Sequence, residues 1–170
     1  MTVSEAIRTR RSVRKYEARA VEDEKLVAVL EAARLAPSAA NGQNWRFILV
    51  RDAELIVKLC AASEGMRWAK DALPPAIIVV AATATRQMAC GEQTGAMDAS
   101  IAMSFMLLQA HELGLGTCWL GNFFADKVRG ALDLPQDLEI VAVTPIGYPA
   151  ETPEARPRKP FEDVVSFDGI

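Results

Sequence analysis

The chain has 170 residues, 51% of them hydrophobic and 24% charged, with 19 Lys and Arg against 22 Asp and Glu for a net charge of -3. That balance excludes a disordered tail and speaks against a dedicated nucleic-acid binder, which carries a basic excess. Cys60, Cys90 and Cys118 are scattered and form no C-x-x-C pair, so neither a disulfide framework nor a zinc site is expected, and a reducing cytoplasm is the simplest home.

One compact domain spanning residues 1–170 is expected at this length. The opening stretch MTVSEAIRTRRS lacks the apolar region of a signal peptide, and no apolar run is long enough for a membrane-spanning helix. A short helix is expected from Ser4 to Thr9, with Ser4 as N-cap. The basic run RRSVRK follows. Glu22 or Asp23 can cap a second helix carrying Leu26, Val27, Leu30 and Ala33 at helical spacing, and Pro37 stops it. PSAANGQN, residues 37–44, reads as a loop, and WRFILV, residues 45–50, as a strand.

Asp52 can cap a helix through Leu59. AIIVVAA, residues 76–82, is apolar throughout and reads as a central strand buried on both faces. A helix from about Met97 to Leu113 is apolar nearly all round, with Ile101, Ala102, Phe105, Met106 and Leu108, which suits a core or an interface. Gly114 can close it. GTCWLGNF, residues 116–123, reads as a short strand or turn, Asp126 to Leu132 as a short helix, and EIVAVTPIG, residues 139–147, as the last strand. Residues 149–170 hold four prolines and read as an extended tail.

Three segments could carry chemistry. Arg10, Arg11, Arg14 and Lys15 surround Ser12, and the tail adds Arg156, Arg158 and Lys159. Guanidinium forks and a hydroxyl suit phosphate, so two separated basic segments could converge on one anion. On charge alone, two solvated faces are the simpler reading. The small side chains of PSAANGQN let backbone N–H groups approach a ligand, and Asn41, Gln43 and Asn44 offer donors and acceptors for a heterocycle edge. Taken alone, it is a turn. In GLGTCWLGNF no dinucleotide fingerprint exists, but Gly121 could admit a flat ring near the backbone.

His111, the one histidine, is expected in a surface or capping role. Glu92 and Asp98 are expected to complement the N-terminal end of the long helix. Cys118 reads as a small buried hydrophobe. No metal site is expected.

In order and spacing, EAIRTRRSVRKY, APSAANGQNWRFILV, the apolar helix, GLGTCWLGNF, TPIGYP and RPRKPFEDVV together resemble the nitroreductase family of FMN-dependent oxidoreductases across nearly the whole chain. That resemblance implies an α+β fold, a central mainly antiparallel sheet flanked by helices, in an intertwined homodimer with the tail on the partner. It implies FMN as cofactor and NADH or NADPH as electron donor. A small-molecule electron acceptor, such as a nitroaromatic or quinone, completes the partners, with no nucleic acid and no membrane.

By the same resemblance Arg10 and Ser12 hold the phosphate, with Arg11 beside them, and Arg14 lies towards the ribityl chain and the N1–O2 edge of the flavin. Pro37, Ser38, Ala39, Asn41 and Gln43 match the loop supplied by the other subunit. Trp119, Leu120 and Gly121 match the segment near the isoalloxazine. Arg158 and Lys159 match basic residues that complete the phosphate site. No side chain is implied as catalytic. The chain is short for the family, and Asn44 stands where many relatives have proline. A flavin-binding sensor or carrier without turnover is the alternative.

Overall fold

The computed structural model describes residues 1–70 and 72–169. Among the described residues, five α-helices and four strands form three layers. The strands are β1 (Trp45–Val50), β2 (Ala76–Ala82), β3 (Gly116–Thr117) and β4 (Glu139–Gly147), in spatial order β1-β2-β4-β3 with every pair antiparallel. The helices are α1 (Val3–Thr9), α2 (Asp23–Arg34), α3 (Ala53–Ala61), α4 (Thr94–Glu112) and α5 (Ala125–Leu132).

The period-2 alternation of β2 fixes both cores. Ile78 and Val80 face α2 and α4, packing with Leu26, Val29, Met103 and Met106. Ile77, Val79 and Ala81 face the other way, towards Ile56 and Leu59 of α3 and Val128 of α5. Covered on both sides, β2 is buried at all seven positions, as its unbroken apolar run predicts. The β2–β4 register shifts at Val80/Ala81, where Val80 faces Ala142 but Ala81 faces Ile140. The extra residue turns Ile140 to the face that also holds Val143.

Local chemistry sets the helix boundaries. The first helix is capped by Thr2 rather than Ser4. Thr2 accepts from the Glu5 N–H while the Glu5 carboxylate accepts from the Thr2 N–H, a capping box about two turns before the basic run. Asp52 caps α3 by accepting from the Leu55 N–H at 3.0 Å. The fourth helix starts at Thr94, three residues before the sequence pattern suggests. Asp98 does not cap it. Its carboxylate, 3% exposed, accepts from the Ala39 N–H at 3.1 Å and so anchors the 37–44 loop. A turn of 3-10 helix over Glu64–Lys70 has no apolar periodicity to announce it.

The sheet edge positions the site. Val13 donates to the Thr117 carbonyl at 2.9 Å, and Ser12 bridges Thr117 in parallel, which lays the basic run along β3. Further on, Glu17 donates to the Tyr148 carbonyl and Ala150 to the Lys15 carbonyl, each at 2.9 Å. The basic run is thus clamped between β3 and the start of the tail, whose residues 151–160 form neither helix nor strand before a 3-10 turn over Phe161–Asp163.

Candidate functional site

The two basic segments, separate in sequence, meet in space. Arg10, Arg11, Ser12 and Arg14 form one wall of a cavity of about 570 Å³, and residues 153–158, with Arg156 and Arg158, form the other. The Arg10 N–H closes the last turn of α1 on the Ala6 carbonyl at 2.9 Å, and with φ of -56° and ψ of 132° the chain leaves the helix as extended backbone at Arg10. Glu151 holds the next stretch. Its carboxylate accepts from the Arg14 N–H at 2.6 Å and from the Lys15 N–H at 3.2 Å.

Glu151 spends its charge on backbone, so it leaves the guanidinium groups free. Among the described residues none of Arg10, Arg11, Arg14, Arg156 and Arg158 makes an ion pair. Arg11 donates to the Arg8 and Arg10 carbonyls instead, at 2.8 and 3.0 Å. Burial pushes Arg10 below the ordinary guanidinium value, and the neighbouring charges of Arg158 and Arg11 push the same way. Glu154 adds one carboxylate to the lining against the five guanidinium groups of Arg10, Arg11, Arg14, Arg156 and Arg158, so the cavity keeps an excess of mutually repelling cations that an anion would relieve.

Behind Ser12 lies Cys118, 1% exposed. Burial pushes its thiol up, while Arg14, a hydrogen bond from Ser12 and Arg10 act against that. Thr144 locks the segment by donating to the Cys118 carbonyl at 2.9 Å. Leu120 exchanges backbone hydrogen bonds with Val143 at 3.1 and 3.0 Å, so its side chain enters the core. The alternation turns Trp119 outwards, 36% exposed, with Gly121 exposed beyond it. Gly65 donates to the Asn122 carbonyl at 3.1 Å, which seats the Glu64–Lys70 turn against this segment. The Trp68 ring in that turn lies 5.8 Å from Tyr16.

The predicted residues therefore fall into groups. Arg10, Arg11, Ser12, Arg14 and Arg158 share one cleft. Lys159 follows on the exposed tail outside its lining. Trp119, Leu120 and Gly121 follow directly on Cys118, one residue beyond Thr117, which Ser12 bridges. Pro37, Ser38, Ala39, Asn41 and Gln43 do not line this cleft. Their loop is tied to α4 through Asp98 and closed on itself by Gln43 N–H donating to Ser38 Oγ at 3.0 Å. Ala40, Asn41 and Gln43 are all left-handed, with φ of 51°, 55° and 51°. Non-glycine residues adopt that region at a cost of about 1 kcal/mol or more each, so the loop is held in shape rather than relaxed. Sequence reading missed Glu151 and Trp68. Neither sits in a basic or glycine-rich run, and only the fold brings them in.

An uncovered apolar surface lies elsewhere. Val3 and Ile7 of α1 are 73% and 61% exposed, and Phe105 of α4 is 43% exposed. A groove of about 460 Å³ between these helices is lined by Val3, Ala6, Ala32, Phe105 and Leu108. No helix among the described residues is long and apolar enough to cross a membrane, and no cluster of potential ligands could hold a metal ion.

Comparison with known proteins agrees with this architecture. The sequence model of the Nitroreductase family matches residues 7–73 and 62–148. A Methanothermobacter thermautotrophicus protein assigned as an NADH dehydrogenase/NAD(P)H nitroreductase is 39% identical over 160 residues, covering 92% of this chain and 82% of that one. The crystal structure of a nitroreductase family protein from Clostridium difficile 630 superposes with a TM-score of 0.88 at 34% identity, over 100% of both chains. A Desulfovibrio desulfuricans protein assigned as a nitroreductase and solved in complex with FMN gives 0.86 at 30% identity, over 100% of this chain and 98% of that one. With its sheet, its paired basic segments and these matches, the chain belongs to the nitroreductase family.

Proposed function

We propose that the chain is an FMN-dependent oxidoreductase that takes hydride from NAD(P)H and reduces a small organic acceptor, a nitroaromatic, quinone or similar compound. The observation that carries this reading is the convergence of unpaired guanidinium groups from residues 10–14 and 156–158 on one cavity. Five cations and the Ser12 hydroxyl suit a phosphate monoester dianion, which accepts bidentate hydrogen bonds. The donor set therefore fits FMN.

Arg10, Ser12 and Arg158 hold the phosphate, with Arg11 and Lys159 adding positive potential. Arg14 faces the flavin edge at N1–O2, where a fixed cation favours negative charge. Trp119, Leu120 and Gly121 border the ring. Bound FMN supplies the hydride relay between nicotinamide and acceptor. The protein binds, orients and shields, and no side chain is assigned as acid, base or nucleophile.

The working unit in this reading is a cytoplasmic homodimer. The exposed Val3, Ile7 and Phe105 give the second copy an apolar face to cover. The 37–44 loop, held away from its own cleft, serves the cleft of the second copy through Pro37, Ser38, Ala39, Asn41 and Gln43. The tail, with Phe161 and Phe167 exposed at 65% and 80%, lies along that copy.

The test is an anaerobic absorption spectrum before and after NADH and then NADPH. Flavin bands that bleach with either nucleotide are expected. Bands that persist with both nucleotides would leave a flavin-binding sensor or carrier as the better reading. Arg10→Ala combined with Arg158→Ala is expected to lose FMN, and tight retention would contradict the phosphate site.

A further inference from the structure

The chain's one histidine stands beside the basic cleft, and the proposed chemistry leaves it unused. His111 lies in the last turn of α4. A second cavity, of about 400 Å³, has Thr9, Arg10, Arg11, His111 and Glu151 in its walls, and it shares Arg10 and Arg11 with the basic cleft.

Hydrogen bonding fixes the tautomer. Thr9 Oγ1 lies 2.6 Å from the Glu5 carbonyl oxygen, which can only accept, so the hydroxyl proton is committed there. Towards His111 Nε2, 2.8 Å away, the same oxygen must accept. Nε2 therefore carries hydrogen in both the neutral and the cationic ring, and Nδ1 is the atom that titrates. The contact survives protonation. It ties the end of α4 to the last residue of α1, immediately before Arg10.

The charges facing the ring are mixed. Arg10 and Arg11 approach from the segment after α1. Glu112 lies on α4 itself, with the Met1 amino group 3.7 Å from its carboxylate, and Glu151 lies across the cavity. Burial first, then Arg10 and Arg11, hold the imidazole below its ordinary value.

We propose that His111 is a positioning residue of the anion cleft, gripping Thr9 to place Arg10, and that its protonation is coupled to occupancy of the cleft by a dianion. This rests on the phosphate-site reading above. A dianion at Arg10 and Arg11 offsets the two charges that oppose an imidazolium. By reciprocity, the imidazolium strengthens dianion binding by the same factor. A rise of one unit in the His111 pKa corresponds to about tenfold tighter binding at the acidic end of the titration than at the basic end.

The test uses the untagged chain, in which every imidazole NMR signal belongs to His111. The ring is titrated from about pH 5 to about pH 9 alone, with FMN, and with inorganic sulfate. Sulfate remains a dianion throughout, whereas the FMN phosphate itself takes up a proton near a pKa of about 6. The expected result is an upward shift with both anions and sulfate affinity that rises as pH falls. His111→Gln keeps an N–H donor for Thr9 but cannot titrate, so it should bind sulfate with little pH dependence. His111→Ala should bind more weakly at every pH. FMN binding that leaves the His111 titration unmoved overturns this proposal alone. No FMN binding, or binding indifferent to Arg10→Ala, overturns the phosphate-site reading together with it.

Discussion

Replacing Gly116 by alanine tests the placement of the basic run most directly. A Cβ built there lies 2.8 Å from both Cβ and Cγ1 of Val13 and 2.9 Å from its Cγ2, about 0.6 Å inside the 3.4 Å where ordinary contact begins. Rotating Val13 cannot relieve this, because its Cβ is fixed to the backbone. That backbone is hydrogen-bonded to Thr117, next to the new methyl group. The strand has to move. Overpacking of this kind costs about 1–3 kcal/mol, and at this chain length each kcal/mol lowers Tm by about 2–4 °C, so a drop of about 2–12 °C is expected. Ser12 and Arg14 flank Val13 and move with it, so FMN affinity should fall as well. Thermal unfolding followed by circular dichroism and an FMN titration followed by flavin fluorescence read the two effects separately. Gly130→Ala is the control of opposite sign. Gly130 sits on the exposed side of α5 with nothing within 4 Å of an added Cβ, so alanine should stabilise by about 0.5–1 kcal/mol. A Gly116→Ala protein that melts with the wild type and holds FMN equally well would refute the argument.

Gly121→Ala should leave Tm nearly unchanged, since a Cβ there meets no atom of the chain within 4 Å, yet weaken FMN binding if the flavin lies against that backbone; equal affinity would remove Gly121 from the site. Glu151→Ala leaves the Arg14 and Lys15 N–H groups without their shared acceptor and should lower stability by about 1–2 kcal/mol in urea unfolding. Burial raises the Cys60 thiol from 9 to about 11, so the folded chain keeps a proton that the unfolded chain releases. Its contribution is fully present below pH 9 and fades as pH rises towards 11, so Cys60→Ala should flatten the alkaline fall in stability across that window. Urea midpoints for both proteins at several alkaline pH values check the slope.

Strands were the most legible part of the fold. The runs 76–82 and 139–147 bound β2 and β4 to the residue; burial on both faces demands the unbroken hydrophobicity of β2, while β4 stays mostly apolar from Ile140 on and starts at the exposed Glu139. Helix starts were less legible. Ser4 is a good capping type, but Thr2 has Glu5 three residues on, and the reciprocal pair wins. The start of α4 was read late. Thr94, Gly95 and Ala96 carry little apolar pattern, and Gln93 before them gives no cap; Gly95 N–H instead donates to Thr85 Oγ1 at 3.1 Å, ten positions upstream. The Glu64–Lys70 turn follows no period of its own and is held by Asn122, a partner far along the chain. In the cleft, both basic segments were visible as charge. Their convergence was open on charge alone, where two solvated faces were the simpler reading, and was implied only by the family resemblance, because it depends on a two-residue strand, β3, and on one carboxylate, Glu151.

The clamp on the basic run also bears on when the cleft can exist during synthesis. Arg14 and Glu151 are 137 positions apart, and the bridges from Ser12 to Thr117 and from Tyr16 to Pro149 span comparable lengths. Contacts this distant close the largest loops in the chain, whose entropy must be lost before the contacts return anything. A growing chain offers residues 10–14 early but has no opposite wall until residues 153–158 have left the ribosome. Folding of the sheet, which itself awaits β4, then draws both walls together in one late event. On the proposed reading, a phosphate-bearing ligand could be held only once residues 153–158 have joined residues 10–14, and a chain cut before residue 153 would carry the first arginines without the opposite wall.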